Sequence, residues 1–181
     1  MENKISKDNQ MNPMKEIRVD KVTINFGAGS NQALLEKGIK LVKMITGKEP
    51  VKTTSKKRIP TWGIRPGLPI GCKQTLRGKE ANGMIKNLLE GVDNRLNNKS
   101  IDTQGNFSFG IKEYVDVPSL KYDPDIGILG FDVTVTLMRQ GYRVMKRKKY
   151  AHKISKHHKI SKEDAMGFIE KEFKVNFGEE E

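Results

Sequence analysis

The chain has 181 residues, a length that favours a single domain, and its 35% hydrophobic and 31% charged residues indicate a small core beneath a large charged surface. The net charge of +12 is segregated: residues 50–79 and 133–162 contain eight and ten of the 34 lysines and arginines, and no acidic residue. This segregation favours a polyanionic partner, and the lack of a long apolar stretch or secretory signal argues against a membrane. The single cysteine, Cys72, excludes an internal disulfide and suits the reducing cytoplasm.

The first half of the chain predicts two strands and a helix. Residues 17–26 indicate a half-buried strand, because apolar and polar residues alternate toward its end. A tight turn at Gly27 follows, and then a helix that Ser30 or Asn31 caps and Gly47 ends. Residues 51–54 predict a short strand.

A long basic loop is predicted at residues 55–69, which are rich in proline, glycine and cations. Loops of this length inside a compact domain are usually functional or disordered. We favour a functional loop with Trp62 exposed, over the alternative that Trp62 packs against the core.

The second half of the chain predicts further strands and two more helices. Residues 70–77 alternate and place Lys73, Thr75 and Arg77 outward. An amphipathic helix is predicted from Met84 through Leu96, one or two short strands within 107–117, and a strand at 131–137. A basic segment follows at 139–162, and a capped helix continues through residue 173.

These elements predict an α+β fold with a mainly antiparallel β-sheet, helices packed on one face and the long basic loop protruding. The other sheet face would then be free to meet RNA. We expect a flexible leader at residues 1–13, a single RNA-binding domain at 14–177 that includes the basic segment, and an acidic tail at 178–181.

No pattern in the sequence predicts an active site, a cofactor or a metal. The Gly27-Ala28-Gly29 turn has Gln32 where a dinucleotide fingerprint requires a small residue, so a nucleotide-using enzyme is the minor alternative. The histidines lie among lysines that would repel a metal ion, and Cys72 has no nearby histidine to activate it. A polar sheet face with no recognition helix favours RNA over DNA, and a non-specific basic RNA-binding protein stays open as the other alternative.

Four segments together resemble the universal 5S-rRNA-binding protein family of the large ribosomal subunit, the family numbered five in that subunit. They are VDKVTINFGAGS from Val19, TGKEPVKTTSKKRIPTWGIRPGLPIGCKQTLRG from Thr46, GNFSFGIKEYVDVPSLKYD from Gly105 and GFDVTVTLMR from Gly130. Their order and spacing agree over about 125 residues. The extended basic segment from residue 139 resembles the archaeal and eukaryotic branch.

The resemblance implies a ribosome-bound, cytoplasmic protein of the central protuberance whose sheet face binds 5S rRNA. Its implied partners are 5S rRNA, large-subunit rRNA, the transfer RNA in the peptidyl site and a small-subunit head protein, with which it forms a bridge. The rRNA-binding residues implied by the family pattern, together with their outward neighbours, are Asn25, Lys48, Thr75, Arg77, Lys73 and Thr23. Lys48 stands where the family has glutamine, which favours a phosphate contact there over a base contact. The loop at 55–71 is implied to approach transfer RNA, through Lys56, Lys57, Arg58, Trp62 and Arg65.

Overall fold

The structure is a computed structural model that describes residues 12–178. Its main sheet contains β1 (Ile17–Gly27), β2 (Val51–Thr54), β3 (Pro69–Leu76), β5 (Phe107–Ile111) and β6 (Phe131–Arg139). They lie in the order β2-β3-β1-β6-β5, and every neighbouring pair is antiparallel. Two short strands, β4 (Arg95–Asn97) and β7 (Asn176–Gly178), form a separate parallel pair. The predicted α+β class with a mainly antiparallel sheet is confirmed.

The helices are α1 (Gln32–Thr46), α2 (Lys79–Glu90), α3 (Arg143–Lys146) and α4 (Lys162–Phe173). Asn31 caps α1 by accepting a hydrogen bond from the Leu34 N–H at 3.2 Å, and Gly47 ends it in the left-handed conformation. Ser161 and Asp164 form the predicted capping box of α4. Short 3-10 helices lie at 13–15, 60–62, 98–100, 114–116 and 156–158.

The core lies on one face of the main sheet, where α1 and α2 pack against it. The alternation of β1 and β6 explains this, because Val22, Ile24, Val133 and Val135 are fully buried while the residues between them face away. None of the helices within residues 12–178 is long and apolar enough to span a membrane.

A β-bulge at Asp20 interrupts the alternation of β1. The pairing with β6 shifts between Val19 and Lys21, so Val19 pairs with Leu137 and Val22 pairs with Val135 on the same face of the sheet. The extra residue, Asp20, is buried. This bulge is why the apolar alternation is clear only in the second half of the strand.

The structure corrects the predicted second helix. It ends at Glu90 rather than reaching Leu96, because Asp93 and Asn94 have φ of 53° and 54°, which a helix does not allow. Leu96 therefore lies in β4, and the predicted strand region 107–117 is one strand followed by a 3-10 turn. Most of the predicted leader and the tail residues 179–181 lie outside the described residues.

Candidate nucleic-acid interface

The outer face of the main sheet, opposite the helices, is mainly polar, with Val51 exposed beside Lys73 at the β2 edge. Its centre is β1, whose Thr23 pairs with Thr75 of β3 on one side and Thr134 of β6 on the other. Asn25 is placed likewise between Lys73 and Asp132. The face also includes Lys21, Ser108 and Thr136, and it contains a shallow depression of about 670 Å³. We call this surface the sheet face.

The chemistry of the sheet face suits a nucleic acid backbone. Hydroxyl, amide and ammonium groups donate to phosphates and 2′-hydroxyls, and a broad shallow surface fits the wide minor groove of an RNA helix. Asp132 is exposed and has no cation within salt-bridge distance in the described chain. Its carboxylate repels phosphate and accepts hydrogen bonds from base amino groups, so it limits where a backbone can lie.

Four of the six rRNA-binding residues predicted from the sequence come together on the sheet face: Thr23, Asn25, Lys73 and Thr75. The other two are engaged elsewhere. Lys48 lies between α1 and β2, and its ammonium forms an ion pair with Glu80 of α2, in the helical layer.

Arg77 follows β3 and binds the buried carboxylate of the bulge. Its Nη1 lies 3.1 Å from Oδ1 of Asp20, while Lys146 binds the other carboxylate oxygen. The Arg77 side chain is still 61% exposed. Its remaining guanidinium N–H groups are therefore available to an anion at the edge of the sheet face.

The long loop of residues 55–68 is an ordered hairpin that extends the β2–β3 pair. The Ser55 N–H donates to the Leu68 carbonyl at 2.9 Å, and Ile59 and Ile64 exchange two backbone hydrogen bonds further out. A 3-10 turn at Pro60–Trp62 closes the tip, where Gly63 has φ of 67°, which favours glycine. We call this segment the hairpin loop.

The aromatic and cationic side chains of the hairpin loop are exposed, whereas Ile64 is buried. Trp62 is 66% exposed, so the alternative that it packs against the core is wrong. The predicted cations of the loop are exposed too, and within residues 12–178 they form no ion pair: Lys56, Lys57, Arg58 and Arg65. An exposed aromatic ring among uncompensated cations is an arrangement suited to RNA.

The turn that suggested a nucleotide site is used structurally. The N–H groups of Ala28 and Gly29 both donate to the carbonyl of Ile70, at 2.9 and 3.0 Å. They are therefore unavailable to a phosphate, and β1 has only antiparallel neighbours in the described sheet, where a dinucleotide fold requires a parallel one.

Two of the other candidate reactive groups, Cys72 and His158, also have structural roles. Cys72 is fully buried, and burial raises the pKa of its thiol. His158 contacts the Gln140 carbonyl through Nε2 at 2.8 Å and packs edge-on against Tyr142. No group of three or more histidine, cysteine or acidic side chains in residues 12–178 is arranged to hold a metal ion.

Comparison with known proteins identifies the family of this chain. A family model described as ribosomal protein L5 matches residues 12–65, and a second model, which describes the C-terminus of the same ribosomal protein family, matches residues 69–168. The chain belongs to the ribosomal protein L5 family. The two matches meet within the hairpin loop, yet β1 from the first match and β3 and β6 from the second form one continuous sheet.

Archaeal relatives resemble this L5-family chain over nearly its whole length. Proteins named large ribosomal subunit protein uL5 are 44% identical over 167 residues in Methanobrevibacter smithii and 45% identical over 170 residues in Sulfurisphaera tokodaii. These matches cover 92% and 93% of the chain, and 98% and 96% of the relatives. The Nanoarchaeum equitans protein of that name is 44% identical over 164 residues, which cover 90% of the chain and 96% of the relative. L5-family proteins are structural and non-enzymatic, which agrees with the expectation that the chain is not an enzyme.

Sequence reasoning about the L5-family site missed five residues that the structure adds to the sheet face: Lys21, Ser108, Asp132, Thr134 and Thr136. Their alternation with buried neighbours was visible in the sequence. The sequence does not show which strands lie beside β1, so the predicted site did not include residues of β5 and β6.

Proposed function

We propose that this L5-family chain is a structural component of the large ribosomal subunit that binds 5S rRNA through the sheet face and helps attach it in the central protuberance. One observation carries the proposal: the sheet face is polar and solvent-exposed, and the helices of residues 12–178 leave it uncovered. The names of the archaeal relatives support assembly into the large subunit, and therefore a cytoplasmic location on the ribosome.

The mechanism is scaffolding. Lys21 and Lys73 neutralise phosphates, a contribution that weakens as salt rises. Thr23, Asn25 and Thr75 donate and accept hydrogen bonds at fixed positions of a rigid sheet, so they select an RNA of matching shape. The helices on the opposite face hold the sheet in place through the core.

The hairpin loop supports a second part of the proposal, contact with transfer RNA in the peptidyl site. It extends beyond the β2–β3 pair, carries four cations and holds Trp62 exposed. Its internal hydrogen bonds make it stiff enough to reach a partner away from the sheet face. We also propose that the protein forms a bridge to a small-subunit head protein, and this part of the proposal rests on the family resemblance.

The first experiment measures the affinity of the full chain for 5S rRNA across a salt series, with a length-matched unrelated structured RNA as competitor. A double variant, Asn25→Ala with Lys73→Gln, removes two neighbouring groups of the sheet face. Its control, Asn87→Ala with Lys86→Gln, makes the same chemical changes on the exposed side of α2. We expect the first variant to bind 5S rRNA about tenfold more weakly, in line with about 1–3 kcal/mol for lost charge-assisted hydrogen bonds.

Preference for 5S rRNA that persists at high salt and depends on Asn25 and Lys73 would support the proposal. Equal binding of both RNAs, lost together as salt rises, would instead favour a non-specific basic RNA-binding protein. Equal weakening by the two double variants would show that net charge matters and the sheet face does not.

A further inference from the structure

The second acid-free window forms a distinct surface. Residues 140–160 connect β6 to α4 and are called the cationic loop below; they contain eight lysines and arginines and no acidic residue. Within the described chain only Lys146 pairs with a carboxylate, that of Asp20. The other seven cations are exposed and pair with no carboxylate of residues 12–178, so this surface attracts anions.

The cationic loop is pinned at its base. The Arg139 side chain is 8% exposed, and its Nη1 donates to the Lys159 carbonyl at 3.0 Å. The Tyr142 hydroxyl accepts a hydrogen bond from the Ile160 N–H at 3.1 Å. These contacts close the two ends of the loop on each other, so its cations are held together before any partner arrives and less conformational entropy is lost on binding.

An aromatic residue projects from the loop under strain. Tyr150 is 86% exposed and has φ of 54°, a left-handed conformation that disfavours any residue with a side chain. The Arg147 side chain stabilises this turn, because its Nε donates to the Tyr150 carbonyl at 2.7 Å. A tyrosine held in this way, away from the core, is positioned for a partner with a flat apolar surface.

The cationic loop and the hairpin loop lie at opposite ends of the sheet. Ile17 at the start of β1 pairs with Arg139, beside the cationic loop, and Gly27 at its end pairs with Gly71, beside the hairpin loop. Along β1 this separates the two by about 30 Å, at about 3.3 Å per residue. None of the residues that make up the sheet face belongs to the cationic loop, although Lys146 of the loop shares Asp20 with Arg77 at the edge of that face.

We propose that the cationic loop is a second RNA-binding site, in which its lysines hold the phosphates of an RNA helix and Tyr150 stacks on an unpaired base beside that helix. Uncompensated cations around an exposed aromatic ring fit RNA better than an acidic protein, which offers carboxylates and no base to stack. The site goes beyond the proposed function, because it engages an RNA segment separate from the one on the sheet face.

The test uses the full chain and two RNA hairpins unrelated to 5S rRNA, one fully paired and one with a single-nucleotide bulge. The variant Lys148→Gln, Lys149→Gln, Lys153→Gln neutralises the loop, and Lys37→Gln, Lys40→Gln, Lys43→Gln makes the same change on the exposed side of α1. At about 100 mM salt we expect the loop variant to bind about tenfold more weakly and with a shallower salt dependence, and the control to change by less than about twofold.

Tyr150→Gly separates stacking from folding. Glycine relieves the left-handed strain, so the midpoint of thermal unfolding should stay unchanged or rise. Binding to the bulged hairpin should nevertheless fall to the level of the paired hairpin. A variant that keeps the preference for the bulge would overturn the role of Tyr150.

Equal loss of affinity in the two triple variants, or displacement of the hairpin by polyglutamate as readily as by RNA, would overturn the second site. Failure here would not affect the proposed function, because 5S rRNA preference is tested with Asn25 and Lys73. Conversely, those sheet-face substitutions should leave hairpin binding by the cationic loop unchanged.

Discussion

The buried carboxylate of Asp20 allows a sharp test of how Arg77 contributes to RNA binding. Asp20 is 9% exposed and binds two cations from distant parts of the chain, Arg77 and Lys146. Arg77→Ala removes a cation at the edge of the sheet face and should weaken 5S rRNA binding by about 1–3 kcal/mol. Asp20→Asn keeps both cations and removes the group that holds them.

The effect of Asp20→Asn on RNA affinity has opposite signs under the two possible roles of Arg77. If Arg77 acts only through its charge, Asp20→Asn removes a neighbouring negative charge and should tighten RNA binding. We expect the reverse, a loss of about 1 kcal/mol, because an unheld guanidinium loses more conformational entropy when it binds a phosphate.

Folding stability should also fall in Asp20→Asn, and the structure limits the size of the effect. Two hydrogen bonds between charged groups would be worth about 3–6 kcal/mol if dry. The side chains of Arg77 and Lys146 are 61% and 44% exposed, however, so water replaces much of the interaction and about 1–2 kcal/mol is expected. For a protein of this size, that lowers the unfolding midpoint by roughly 2–8 °C.

The assays are filter binding to 5S rRNA and thermal unfolding, for both single variants and the double variant. Coupling predicts that the double variant binds no more weakly than Arg77→Ala alone. Tighter RNA binding by Asp20→Asn, or full additivity of the two losses, would refute the positioning role of Asp20.

Three further outcomes are expected. Arg139→Met should lower stability by about 1–2 kcal/mol in urea unfolding, against no comparable loss for the exposed Arg143→Met, because it removes the 2.8 Å ion pair with the half-exposed Asp164 and the hydrogen bond to the Lys159 carbonyl. Burial opposes ionisation of Asp164, but hydrogen bonds from Ser161 and the charge of Arg139 outweigh it and lower the pKa of Asp164. The stability that the Asp164 carboxylate contributes is therefore present above about pH 4 and is lost as pH falls through the lowered pKa. The stability difference between Arg139→Met and the unsubstituted protein should accordingly shrink in acid. Cys72 should resist iodoacetamide in the folded protein and react once denaturant exposes it, since burial raises the pKa of its thiol. Shortening the hairpin loop between residues 57 and 69 should spare 5S rRNA binding and weaken transfer RNA contacts, and a collapse of 5S binding with the fold intact would contradict our assignment of the loop.

Local signals account for the parts of the fold that the sequence predicted. The caps at Asn31, Gly47 and Ser161 act within four residues, and the alternation of β1 and β6 follows from the two-residue period of a strand. These interactions are decided by neighbours in the sequence. The predictions based on them, with the helices on one face of the sheet and polar residues on the other, are confirmed.

Apart from the positive φ of Asp93 and Asn94, the features that the sequence did not show depend on long-range contacts. Strands β4 and β7 contain three residues each and lie about 80 positions apart, too short to show a period. The Asp20–Lys146 ion pair spans 126 positions and exists only because a bulge turns Asp20 into the protein. Arg139 is a similar case, because a cation within a basic segment gives no local sign that it is buried against Asp164.

The segregation of charge along the sequence becomes a separation in space. The two acid-free windows supply the hairpin loop and the cationic loop at opposite ends of the sheet, and the sheet face between them is mainly hydroxyl and amide groups. Cations give affinity that any RNA can share, whereas fixed hydrogen-bonding groups on a rigid sheet discriminate between RNAs. Under the two proposals above, we therefore expect substitutions in the two loops mainly to change the salt dependence of RNA binding, and substitutions of Thr23, Asn25 and Thr75 at the centre of the sheet to change the choice of RNA.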